Sequence, residues 1–489
     1  MESAMRPLAI IEALSPIVMI FGAMMFAVSL VDVLYGDSVS TWFMLSGLIY
    51  FIAGFISYKV VDWRYGLIEL TLLESLIAYS IAWLLVPCLS AIPLSIELSI
   101  PFENALFESF SGFTGTGLTV LRQLDRVKHS VLLWRGLMQW TGELGVIVFC
   151  TVFLPFFWKF GRILYSIERP SRLSASLKAT AFKIFYMYFL VTVVGIIICI
   201  YLGVEPFDAV VHVMTAIATG GMSNYDANYE KVFQYAPTSI YPITALMIIG
   251  GFNFVSLSYI LDGDLKEAWR IEEFRAYVYL TMLFSLLSFV LALPLTNLSI
   301  SSSLLYGAFN AISALTTTGF NIGNISIMPS SLKILLITAM FIGSMSYSTA
   351  GGIKVVRFIV LLRRFKTYIL SLLSGGSITQ DVILGEDVLD EREVSNMVLF
   401  ILLHFITVLT GASLLKSMIP EVDYLDALFE ATSAASCVGL SAGLTSPNMP
   451  LGAKVTLMAL MYFGRLEYTP LLVLLGLILY REYRILKHR

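Results

Sequence analysis

Polar residues in this chain are gathered into short clusters, and between them run long stretches in which almost every position is apolar. Ten of these stretches lie near 8–34, 40–59, 69–98, 131–156, 181–204, 237–261, 275–297, 332–364, 395–418 and 453–480. Each meets the requirement of about 20 apolar helical residues for crossing a hydrocarbon core of about 30 Å. The pattern predicts an all-α polytopic membrane protein with about ten transmembrane helices. The first stretch is too long for a secretory signal and has no small-residue cleavage site after it, so it reads as a permanent span. An even number of spans puts both ends of the chain on one side.

Four further apolar stretches are too short to cross. They begin near Phe102, Pro206, Leu304 and Tyr424, each between two spans, and their length suits re-entrant segments. They align on the glycines Gly117, Gly221, Gly319 and Gly439, which are 104, 98 and 120 residues apart. Six positions before the glycine stands a hydroxyl: Ser111, Thr215, Ser313, Ser433. Five before it stands Gly112, Ala216, Ala314 or Ala434, and twelve before it Ala105, Ala209, Gly307 or Ala427. A large apolar residue follows it: Leu118, Met222, Phe320, Leu440. Small-residue patterns are common where membrane helices touch, but four copies in one register mark an internal repeat of span, short helix, loop and span.

A short helix entering the membrane aims the partial negative charge of its C-terminal carbonyls at the midplane, which favours a cation. Glycine tolerates backbone angles closed to other residues, so a loop ending in glycine can turn successive carbonyls the same way. Four such loops around an axis would make rings of oxygens able to replace the water shell of an alkali ion. Irregular backbone at this depth survives where it lines a water-filled path. The pattern therefore predicts four pseudo-symmetric repeats around one pore.

Composition agrees with the span count: 58% of the 489 residues are hydrophobic and 13% charged, where a soluble domain carries about a quarter charged. The net charge of −3 gives no reason to expect nucleic acid as a partner. Charge distribution adds orientation. Basic residues collect after the even-numbered spans: Lys59 and Arg64; Lys159, Arg162, Arg169, Arg172, Lys178 and Lys183; Lys266, Arg270 and Arg275; Arg357, Arg363, Arg364 and Lys366; and Arg481, Arg484, Lys487 and Arg489. Those connections, and both termini, are expected on the cytoplasmic side. Arg122, Arg126 and Lys128 form a local exception. Cys88, Cys150, Cys199 and Cys437 follow no metal-binding spacing and read as packing residues with free thiols. No phosphate-binding loop or nucleophile–base motif suggests an enzyme.

Three other segments stand out. Gly343 to Gly352, with Ser344 and Gly351 inside it, interrupts a span with residues of poor helix propensity. It reads either as a loop folded into the path as a gate, or as a kinked helix whose small residues permit close packing. Arg465 lies within the last span, where a cation costs at least a few kcal/mol unless paired or hydrated. It is expected to bond the carbonyls of the 343–352 loop and help hold the gate shut, with a static pair to Glu467 or Glu143 as the alternative. Lys354 is expected to snorkel from the inner end of its helix. Glu108 and Glu430, equivalent to His212 and Asn310, either attract cations at the mouth or hydrogen-bond the short helices to their surroundings.

The four loops resemble the selectivity-filter segments of the Trk/Ktr/HKT superfamily of potassium transporters, and nearly the whole chain resembles the TrkH-type membrane subunit. Gln139-Trp140-Thr141-Gly142-Glu143-Leu144-Gly145 is similar to the family's tryptophan–glycine segment, with Glu143 where a small residue is expected. The resemblance implies two extra spans (1–64) before repeats at 65–175, 176–270, 271–385 and 386–489. It implies a potassium ion, transported and bound, held by backbone carbonyls of Gly115, Thr116 and Gly117; Thr219, Gly220 and Gly221; Thr317, Thr318 and Gly319; and Cys437, Val438 and Gly439. No organic cofactor is implied. Glycine at 117, where serine accompanies sodium selectivity in plant relatives, leans toward potassium, although no loop carries TVGYG. The resemblance also implies the inner membrane, surrounding lipid, a homodimer, and a separate cytosolic TrkA-like nucleotide-binding ring. Basic inner loops and the acidic run Glu386, Asp387, Asp390, Glu391 and Glu393 are candidate docking surfaces. The alternative function is a potassium symporter coupled to sodium or protons.

Overall fold

A computed structural model describes residues 6–65, 70–145, 177–293, 300–374, 381–385 and 387–468, with 472–473 and 475–476 near the C-terminal end. The second half of the predicted span at 131–156, most of the basic cluster after it, Cys150, Glu386 and the basic C-terminal residues lie outside these limits. Helix dominates the described residues, joined by loops, and their strands are a hairpin of β1 (Val382–Leu384) and β2 (Asp387–Leu389), antiparallel with Val382 opposite Leu389.

Two apolar helices lead the chain, α1 (Pro7–Ser29), continued by the short α2 (Val31–Tyr35), and α3 (Thr41–Tyr65). They pack along one another because three glycines let their backbones meet. A Cβ on Gly22 would stand 2.5 Å from the Phe51 nitrogen, and one on Gly54 2.7 Å from the Ser15 carbonyl oxygen. Small-residue contact of this kind replaces the hydrophobic drive that hydrocarbon surroundings remove.

One order of elements then recurs four times: a long helix, a short helix, an extended loop and a second helix. The first copy is α4 (Leu72–Leu98), α5 (Phe102–Phe113) and α6 (His129–Leu144). The second is α7 (Leu177–Tyr201), α8 (Pro206–Ile217), the short α9 (Tyr229–Tyr235), α10 (Ile240–Gly250) and α11 (Phe254–Leu261), with α12 (Leu265–Arg270) leading out. The third is α13 (Glu272–Ala292), α14 (Ile300–Leu315), α15 (Ser330–Ile342) and α16 (Val355–Leu373). The fourth is α17 (Glu391–Met418), α18 (Tyr424–Ala435) and α19 (Leu451–Arg465). At 12 residues, α5, α8 and α18 reach about 18 Å, too short to cross.

Among the described residues, six helices are long and apolar enough to cross a bilayer: the two leading helices and the first helix of each copy. The second spans differ from expectation. The stretch at 237–261 is not one helix: α10 ends at Gly250 and α11 restarts at Phe254, with Asn253 capping it through the Ser256 amide at 2.6 Å. The stretch at 332–364 is broken between Ile342 and Val355, where the interruption at 343–352 was expected. α6 stops at Gly145 (φ +97°), and α19 at Arg465, before Glu467 and Tyr468 at φ +49° and +59°. A hydropathy average over about 19 residues passes over breaks as short as these.

The acidic run after β2 is largely engaged. Asp390 and Glu393 cap α17 reciprocally, and Glu391 pairs with Arg364 at 2.6 Å. Leucine at Gly54 should force α1 from α3; overpacking of this kind costs about 1–3 kcal/mol. A thermal melt of the purified variant should show a lower Tm than the native chain.

Candidate functional site

The four short helices end alike. Past each, the amide of the residue before the aligned glycine turns back to the carbonyl of the aligned hydroxyl residue: Thr116 to Ser111 at 2.9 Å, Gly220 to Thr215 at 2.9 Å, Thr318 to Ser313 at 2.8 Å and Val438 to Ser433 at 2.8 Å. A trans peptide sends its C=O opposite to its N–H. The carbonyls of Gly115, Thr219, Thr317 and Cys437 therefore point away from the helix ends. The next peptide follows in three loops, where Gly117 and Gly221 donate to the same Ser111 and Thr215 carbonyls, and Gly439 to Ser433 Oγ at 3.0 Å. This course needs left-handed backbone twice per loop: φ is +69°, +50°, +55° and +52° at Gly115, Thr219, Thr317 and Cys437, and +83°, +69°, +86° and +96° at the aligned glycines. A β-branched threonine in this region is uncommon, and the surrounding bonds hold it there.

The loops close on one another in chain order. A Cβ on Gly117 would collide with the Gly220 carbonyl oxygen, on Gly221 with that of Thr318, on Gly319 with that of Val438, and on Gly439 with that of Thr116. The fourth contact returns to the first loop, so the four loops form one closed ring.

Behind the ring, the column occupied by Glu108, His212, Asn310 and Glu430 ties each short helix to the chain leaving its loop. Glu108 accepts from Thr119 Oγ1 at 2.9 Å and the Val120 amide at 3.3 Å. His212 Nε2 meets Ser223 Oγ at 2.9 Å. Asn310 donates to the Ile322 carbonyl at 2.9 Å and accepts from its amide at 3.2 Å. Glu430 accepts from Ser441 Oγ at 2.8 Å and from the amides of Ala442 and Thr445 at 3.0 and 2.9 Å. All four residues are buried, as the hydrogen-bonding alternative requires and the mouth-attraction reading does not.

The segment from Gly343 to Lys354 is a loop, not a kinked helix, and it lies against three of the four glycine loops. Thr349 Oγ1 bonds the carbonyls of Ile217 (3.1 Å) and Gly250 (2.9 Å) and accepts from Thr219 Oγ1 at 3.3 Å. The Gly351 amide donates to Thr317 Oγ1 at 2.7 Å, and the Gly352 amide to the Ser436 carbonyl at 3.1 Å. Ser344 Oγ donates to the Leu315 carbonyl at 3.1 Å. A Cβ on Gly351 would collide with the Ser436 carbonyl oxygen, and Gly343 and Gly352 have φ of +72° and +75°. Buried Glu273 pins both ends of the loop, accepting from Ser346 N at 2.7 Å and Val356 N at 3.2 Å.

The first loop has a different neighbour. Arg465 Nη1 pairs with Glu143 Oε2 at 2.5 Å, and Nη2 donates to the Gly142 carbonyl at 2.5 Å. Glu143 fills the space that a Cβ on Gly115 would need. The bonds described for Arg465 are those of the static-pair alternative, with Glu143 as partner; Glu467 pairs with Arg357. Lys354 does not snorkel. It is buried, at φ +75°, and its Nζ bonds the Ala350 carbonyl within the loop.

Two residues of α6 had no role read from sequence. Buried Arg135 donates from Nε to Glu108 at 2.8 Å and from Nη1 to the Ser223 carbonyl at 2.6 Å. One turn on, Gln139 bonds the second glycine loop at Gly220 and Met222. Arg135 carries the signal that singled out Arg465, a cation inside an apolar stretch, and that signal would have found it.

An all-helical polytopic membrane protein with a ring of this kind falls in the class of membrane transport proteins rather than enzymes. The TrkH family model, described as a cation transport protein, matches residues 48–306 and 294–480. The chain is 30% identical over 426 residues to the Trk system potassium uptake protein TrkH of Escherichia coli (strain K12), covering 85% of this chain and 87% of that one. It is 27% identical over 481 residues to an uncharacterized cation transporter of Methanocaldococcus jannaschii, covering 98% and 97%. The crystal structure of the potassium transporter TrkH from Vibrio parahaemolyticus matches with a TM-score of 0.84 and 26% identity, over 96% of this chain and 99% of that one. The chain belongs to the TrkH family of cation transport proteins.

The closed ring leaves no room for a side chain at its glycines. Gly221→Ala should lower cation transport by at least about tenfold, equivalent to ~1.4 kcal/mol, in protein that still inserts and melts cooperatively; ion uptake into liposomes measures it.

Proposed function

We propose that this chain takes up potassium across the cytoplasmic membrane through a channel-like pore whose selectivity filter is the ring of four loops. The observation that carries the reading is the closure of that ring through backbone alone. Rows of carbonyls with no intervening side chain are suited to replace the water around an alkali ion. Gly115, Thr116 and Gly117, with their counterparts at 219–221, 317–319 and 437–439, would hold the ion. The short-helix carbonyl ends add a favourable potential. Potassium as the ion is supported by the relatives whose names specify it. In this reading the chain divides into leading spans at 1–64 and repeats at 65–175, 176–270, 271–385 and 386–489.

The 343–352 loop acts as the gate. Its bonds to Thr219, Thr317 and the Ser436 carbonyl support a blocking position next to the filter, and its glycines would allow it to move. Arg465 and Glu143 complete the barrier on the remaining side. The chain works as a homodimer, both termini cytoplasmic, with a TrkA-like nucleotide-binding ring docking on the cytoplasmic face. Names of relatives that place them in a Trk system support a partner.

Two measurements test the reading. Rubidium uptake into liposomes containing the full chain should follow the potassium gradient and resist about a tenfold excess of sodium, as a filter with several kcal/mol of carbonyl coordination would. Uptake only when sodium or protons move with it would replace the pore with a coupled symporter. Arg465→Ala should raise basal rubidium flux, and unchanged flux in folded protein would remove Arg465 from the gate.

A further inference from the structure

Each junction between neighbouring loops has its own polar link, and one differs in what it touches. Between the second and third, Asn228 reaches the Gly319 carbonyl at 3.4 Å and Glu230 accepts the Gly323 amide at 3.1 Å. Between the third and fourth, buried Lys333 pairs with Asp426 at 2.6 Å. Between the fourth and first, Arg122 donates to the Thr445 carbonyl at 2.9 Å. Apart from the Asn228 bond, which reaches the carbonyl of an aligned glycine itself, these links fall after that glycine or on the short helix. Between the first and second, Gln139 Nε2 donates to the Gly220 carbonyl at 2.5 Å and its Oε1 accepts the Met222 amide at 2.9 Å. The Met222 N–H requires an oxygen opposite it, which fixes the amide and leaves its NH₂ facing Gly220. Among the described residues, Gly220 is the one member of the row Thr116, Gly220, Thr318 and Val438 whose carbonyl accepts a described side-chain hydrogen bond.

We propose that Gln139 is a positioning residue that raises the filter's preference for potassium over sodium by holding the Gly220 carbonyl. The inference rests on the reading of the ring as a potassium filter. Sodium is smaller and needs the surrounding oxygens to move inward. A carbonyl clamped from behind resists that movement, and one that shares its electron density with a donor presents a weaker field. Whether selectivity arises from cavity size or from field strength, both effects disfavour the smaller ion. Geometry supports a rigid clamp. Gln139 is fully buried, and Arg135, four residues earlier on the same helix, bonds the Ser223 carbonyl on the same loop. α6 thus grips both sides of Gly221 from one face.

The test uses the full chain with two substitutions. Gln139→Met keeps the length and removes both bonds. Gln139→Glu keeps an acceptor for the Met222 amide but gives Gly220 no donor when ionised. Two readouts apply: the sodium concentration that halves rubidium uptake in liposomes, and the ratio of potassium to sodium concentrations giving half-maximal protection against heat in detergent, which needs no open path. Both variants should shift the ratio toward sodium by about threefold to tenfold, the scale of one ordinary hydrogen bond. A native ratio in either folded variant would overturn the proposal, even if capacity falls, because a merely structural clip changes capacity alone. Failure of both variants to fold would also overturn it, making Gln139 a folding determinant. A native chain with no preference for potassium would instead count against the filter reading itself.

Discussion

Where the four loops meet, the carbonyl oxygen of one loop occupies the place that a side chain on the next would need, and this happens four times in a closed cycle. Most of the surrounding structure follows from accommodating that contact. The aligned glycines must stay bare and left-handed. The amides beside them must find acceptors at the helix ends, or the carbonyls could not all turn the other way. Each short helix must then be fixed in depth and rotation, which the column of Glu108, His212, Asn310 and Glu430 does by bonding the chain that leaves the loop.

Lipid surroundings make the same demand on the breaks in the second spans. Backbone released from a helix within a membrane has no water to turn to unless it lines a cavity, so partners come from other repeats. The carbonyls at the break after Gly250 receive Thr349, and Gly352 donates to Ser436. The interruption in the third repeat is thus supported by the second and fourth. Glu273 closes both of its ends from a helix that sequence inspection treats only as a span.

Fourfold likeness stops at the side chains. A loop lies against three of the four glycine loops, and an ion pair of Glu143 with Arg465 against the other. The seams are held by an amide, two carboxylate-centred links and an arginine, each different. A single chain can vary each quarter of a ring independently, which four identical subunits could not do.

The sequence by itself determined the class of fold, since hydrocarbon solvent imposes a length and composition that survive in one dimension. It also determined the four glycine loops, because glycine, hydroxyl and small residues recur at fixed spacing for backbone reasons local to each loop. The interrupted third repeat was legible too, through its poor helix formers. The break in the second repeat's span was not legible, because Gly251-Phe252-Asn253 carries a single polar residue within a long apolar stretch. The partners of Arg465, Gln139 and Arg135 were decided by tertiary structure. Their bonds join residues up to 323 positions apart, and which carbonyl faces which side chain is set by packing between repeats. No spacing along the chain encodes that choice.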